Sequence, residues 1–92
     1  MIVRILGEGQ YRIPDDRVPA VQEVDKNLEK AVDAGDETAF AEALGRLVTT
    51  IRDLGEPLPV EELVPSDAVV PDADTTLAEA QSLLSDEGLI PD

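Results

Sequence analysis

The tripeptide Ala34-Gly35-Asp36 separates two stretches of helical apolar spacing, and it constrains the fold more than any other feature of the chain. Before it, Val18, Val21, Val24, Leu28 and Val32 fall on one helix face. After it, Phe40, Leu44, Leu47, Val48, Ile51 and Leu54 form a second and cleaner stripe. Gly35 supplies the left-handed residue that helix C-termini favour, and Asp36 offers its carboxylate to the first free N–H groups of the next helix. Helices near 17–34 and 37–54 are therefore joined by almost no chain and must fold back on each other as an antiparallel pair. Asp15 or Asp16 is placed to cap the first, and Pro19 is tolerable in its opening turn, where N–H groups lack intrahelical partners. Gly55, with Pro57 close behind, stops the second.

Upstream of the helices, Ile2 to Leu6 and Tyr11-Arg12-Ile13 read as strands joined through Gly7-Glu8-Gly9, a β-hairpin over residues 1–14. Arg4 and Arg12 alternate with apolar neighbours and should point away from the core. Downstream, residues 56–74 hold four of the seven prolines among acids, Val and Leu, and read as an extended connector. Within it, Ala68-Val69-Val70 is a candidate short edge strand. Thr76 and Glu79 match a capping box for a third helix over 76–87, with Asp74 as a competing cap, and Gly88 ends it. The expectation is one small α+β domain over 1–92. An N-terminal hairpin, extended by residues 68–70 to a three-stranded antiparallel sheet, packs on the helix pair, and the C-terminal helix covers part of the core.

Gly7-x-Gly9 after an apolar run raises the question of a phosphate-binding loop. The dinucleotide fingerprint needs a third Gly where Arg12 stands, and a helix rather than a strand must follow. No Gly-Lys-Ser/Thr is present for a P-loop either, so these glycines are turn residues. Asp72-x-Asp74-x-Thr76 resembles the opening of a calcium loop, but Leu77 and Leu83 occupy the positions of its Gly and its bidentate Glu. The chain has no Cys and no His, which removes thiolates, the usual general base and the commonest transition-metal ligands. Its serines have no His to activate them, and one Tyr, one Phe and no Trp give little for base stacking. Acids are so abundant that no carboxylate pair stands out as a catalytic one. The expectation is no enzyme, no cofactor and no metal.

The net charge is −14, and all seven bases precede Gly55. Residues 56–92 carry ten acids and no base. Such a surface repels phosphate backbones and anionic lipid heads, which argues against direct nucleic-acid or membrane binding and suits a basic protein partner. Acidity serving only solubility is the plainer reading of the same numbers. No apolar run approaches the ~18 residues of a membrane span and no signal-peptide pattern opens the chain, so the expectation is a cytoplasmic protein.

Two features fit the core pattern poorly. Asp25 falls at about 340° when Val18 is set to zero at about 100° per residue, inside the apolar arc. A charge there should be paired, with Arg4, Arg46 or Arg52 as candidates, or should face a partner. The ending Gly88-Leu89-Ile90-Pro91 places large apolar groups beyond a helix stop. Leu89 can fold back as the apolar contact of a C-cap, while Ile90 and Pro91 are candidates for a docking patch.

Three stretches together carry a resemblance: MIVRILGEGQYRIPDD, VDKNLEKAVDAGDETAFAEALGRLVTTIRDLGEPL and LVPSDAVVPDADTTLAEAQSLLSDEGLIPD. They resemble the phage-shock protein A-associated (PspAA) family over nearly the whole chain. The most specific parts are the Gly-Glu-Gly-Gln-Tyr hairpin, the Ala-Gly-Asp junction, Pro-Ser-Asp-x-x-x-Pro and Glu-Gly-Leu-Ile-Pro. The resemblance implies a non-enzymatic adaptor or regulator of the envelope-stress response. Its partner would be a phage-shock protein A homologue, a coiled-coil protein on stressed membranes, and this chain would reach the membrane only through it. No catalytic residue carries over. The expected partner-binding residues are Asp25, Glu61, Glu62, Asp86, Glu87, Ile90 and Pro91. Rival readings are an acidic, antitoxin-like inhibitor of another basic protein, a carboxylate enzyme, and self-association through the hairpin edge.

Overall fold

In the computed structural model, which describes residues 1–59 and 64–81, the chain begins with β1 (Ile2–Ile5) and β2 (Gly9–Arg12). They pair antiparallel in the register Ile2↔Arg12, Val3↔Tyr11, Arg4↔Gln10 and Ile5↔Gly9. The turn closes with Glu8 N–H donating to Ile5 O at 3.0 Å. Gly9 has φ 138°, a backbone conformation that an L side chain rarely adopts, so the glycine serves the turn.

Pro14 ends the hairpin, and Asp15–Arg17 form a single 3-10 turn in which Arg17 N–H donates to Pro14 O at 2.9 Å. This turn displaces the expected cap. Helix α1 (Val18–Ala34) has Arg17 at its N-cap with no side-chain cap bond, because Asp15 and Asp16 are committed to the turn before it. Gly35 then adopts φ 66°, and its N–H bonds back to Val32 O at 3.0 Å. Helix α2 (Glu37–Leu54) starts as the sequence suggests, with Ala39 N–H donating to Asp36 Oδ1 at 3.0 Å.

The strand β3 (Glu56–Pro57) follows α2 directly and pairs antiparallel with β2 through Tyr11↔Pro57 and Arg12↔Glu56. Strand β4 (Ala68–Val70) lies on the other side of β1, giving a four-stranded sheet in the order β3-β2-β1-β4. The β1–β4 pairing is parallel, not antiparallel as expected. The route of the chain explains the difference. Because β3 runs antiparallel to β2, it points the same way as β1; the chain then crosses the whole sheet and enters β4 in that direction again. Helix α3 (Leu77–Gln81) opens with Thr76, whose hydroxyl accepts from Glu79 N–H at 3.2 Å and donates to Glu79 Oε1 at 3.0 Å.

One layer of the core is the helix pair and the other is one face of the sheet. Val3, Ile5 and Ile13 from the hairpin region meet Val21 and Leu28 of α1 and Phe40, Leu44, Leu47, Val48 and Ile51 of α2. Ala68 and Val70 of β4 and Leu77 and Ala80 of α3 complete the cluster. Each large apolar side chain buried here contributes roughly 1.5–3 kcal/mol relative to exposure.

Candidate interaction face

Opposed residues of an antiparallel pair share a face of the sheet. Val3 and Ile5 are buried against the helices, so Ile2, Arg4, Gln10 and Arg12 belong to the outward face. Val69, opposite Arg4, joins them, and Leu6 follows in the same alternation, its N–H donating to Val70 O at 2.9 Å. Arg4 and Arg12 are exposed, as the alternation predicts.

Gln10 is the exception on this face. It is only 8 % exposed, because the chain between β3 and β4 passes over it. Its Nε2 donates to Val64 O at 2.8 Å and to Ser66 Oγ at 2.7 Å, and Leu58 N–H donates to Gln10 O at 2.9 Å. Val64 and Ser66 of the crossing therefore cover Gln10 on the β2 side of the outward face, while the β1–β4 side keeps Arg4, Leu6 and Val69 exposed. Leu6 and Val69, 43 % and 46 % exposed, are the exposed large apolar residues among those described, and both lie on the open side. A cleft of about 330 Å³ adjoins Arg4, with Gly7, Gly9, Gln10, Leu58 and Pro59 in its wall.

On the helix side, the hairpin turn is held to the last turns of α2. Arg52 Nε donates to Glu8 Oε2 at 3.0 Å, a second guanidinium nitrogen pairs with Glu8 Oε1, and Tyr11 OH donates to Glu8 Oε2 at 3.4 Å. Gly9 opens β2, so a strand and not a helix N-terminus follows these glycines, and the phosphate reading has no geometric basis.

Several of the described acids serve local structure. Asp36 caps α2, Asp67 Oδ2 accepts from Ile2 N–H at 2.7 Å, and Asp72 Oδ1 accepts from Asp74 N–H at 2.9 Å in a turn leading towards α3. Glu37 and Asp74 share the wall of a shallow cleft of about 280 Å³ with Phe40, Ala41 and Thr76. Among the described residues, no group of three or more His, Cys, Asp or Glu is placed to hold a metal ion. Among them too, no helix is long and apolar enough to cross a membrane.

Of the residues singled out for partner binding, Asp25 is described. It is 3 % exposed, on the α1 face shared with Val21 and Leu28, and is engaged in a polar interaction. Contact with a partner there would require the helix pair to open. Of the arginines considered for it, Arg52 pairs with Glu8 and Arg4 lies on the far face of the sheet. Glu61, Glu62, Asp86, Glu87, Ile90 and Pro91 lie outside the described residues. The outward patch of Leu6 and Val69 escaped the sequence reading, although Ile2-x-Arg4-x-Leu6 carried its period of two.

A family model described as PspA-Associated protein matches residues 1–92. No curated protein and no solved structure matches the chain.

Proposed function

The chain belongs to the PspA-associated protein family, and from that membership we propose that it is a non-enzymatic adaptor that docks on a PspA homologue. The match over the whole length is the observation that carries this reading. The net charge of −14 and the lack of Cys and His support it, since they suit recognition of a basic surface better than chemistry. In this reading the partner is a coiled-coil protein at the cytoplasmic membrane surface. The base-free half from residue 56 onward, through Glu61, Glu62, Asp86 and Glu87, supplies long-range attraction. Ile90 and Pro91 supply apolar contact at short range. Binding free subunits, or capping a growing assembly, would let such a module tune the partner's polymerisation without any catalytic step.

The variant Glu61→Lys/Glu62→Lys/Asp86→Lys/Glu87→Lys tests the electrostatic part. Its affinity for the PspA homologue of the same organism should fall by about tenfold or more, mostly through slower association. Unchanged affinity would remove these acids from the mechanism.

A further inference from the structure

We propose that the open half of the outward sheet face, centred on Arg4, is a second contact surface, and that it receives an apolar protein segment bearing a carboxylate. The proposal rests on the docking reading above and deepens it, because it places a contact of opposite polarity on the same molecule.

Arg4 sits at the crossing point of the open patch. Gln10 and Val69 are its cross-strand neighbours, and Ile2 and Leu6 flank it along its own strand, so Val69 and Leu6 present their exposed apolar side chains beside the guanidinium. Acids outnumber bases 21 to 7 in this chain, yet the exposed Arg4 forms no ion pair among the described residues. Among the described carboxylates, Glu8 pairs with Arg52 and Asp67 accepts from the Ile2 N–H. An uncommitted guanidinium bordered by aliphatic side chains and a cleft has the composition of an interface centre, where Arg is enriched and fork-shaped pairing with a carboxylate is strongest.

The occupant follows from charge. A second copy would set Arg4 against Arg4 and bring together two chains of net charge −14. An anionic bilayer would be repelled by the same net charge. A carboxylate flanked by apolar groups, on a partner that is basic elsewhere, satisfies both the local and the overall field.

The test measures binding of the PspA homologue to the full chain and to Arg4→Lys, Arg4→Glu and Val69→Thr, with circular dichroism confirming the fold of each. Arg4 is exposed and forms no ion pair among the described residues, so these changes should leave the melting temperature in place. The proposal predicts that Arg4→Glu weakens binding by about tenfold or more and Val69→Thr by less, while Arg4→Lys retains part of the affinity. Wild-type affinity in Arg4→Glu would overturn the proposal and leave the docking reading intact. Failure of the wild-type chain to bind at all would overturn the docking reading itself, and this surface with it.

Discussion

Gln10 Nε2 and Ser66 Oγ lie 2.7 Å apart, joining β2 to the crossing segment over 56 positions of sequence. The same nitrogen also bonds Val64 O, so one amide ties the sheet to the chain that passes over its outward face.

Replacing Gln10 by Leu should therefore destabilise the fold. The substitution removes both bonds and leaves a carbonyl and a hydroxyl beneath a side chain that cannot answer them. A loss of about 1–3 kcal/mol is expected in urea unfolding. Limited proteolysis between β3 and β4 should also quicken, because the crossing loses its anchor.

Two glycines near α2 should respond with opposite signs. A Cβ on Gly55 would stand 2.7 Å from Ile51 O and 2.8 Å from Ile13 Cδ1, so Gly55→Ala should destabilise by about 1–3 kcal/mol. Gly45 lies within α2, and a Cβ there meets nothing within 4 Å. Gly45→Ala should accordingly stabilise by about 0.5–1 kcal/mol through helix propensity and lost unfolded-state freedom. Thermal melts of the two variants beside the parent check both signs.

Removing the α2 cap should cost less than a core deletion but more than a surface change. Asp36→Ala strips the acceptor from Ala39 N–H, and about 0.5–2 kcal/mol is expected in chemical denaturation. Asp36→Asn, which keeps a capping oxygen, should recover most of it.

The Arg52–Glu8 pair is half open to solvent, with side chains 48 % and 28 % exposed. Arg52→Ala should therefore change stability by no more than about 1 kcal/mol, and the difference should shrink as salt rises. A larger, salt-independent loss would show that the pair fixes the hairpin turn rather than decorating it.

The helix pair was legible in the sequence because its signals agree at every level: period, Gly35, Asp36 and the stop at Gly55. The hairpin was legible for the same reason. The parallel entry of β4 was not, since three residues, Ala68-Val69-Val70, carry no information about direction, which is set by the crossing between the sheet edges. Strand β3 escaped because Glu56-Pro57 has neither strand propensity nor alternation and is held by its ladder to Tyr11 and Arg12. At the candidate face, alternation located Arg4 and Arg12, but the burial of Gln10 depends on chain 54 and 56 positions away. That covering segment is also what separates the open patch of Leu6 and Val69 from the closed half of the face.

The central claim, that this chain is a stoichiometric docking partner, is tested most directly by co-purifying it with the PspA homologue of its own organism across a salt series. The account predicts a complex of fixed stoichiometry that weakens as ionic strength rises, since charge–charge attraction is screened within about 10 Å at 0.1 M salt. Absence of a complex at every salt concentration would contradict it.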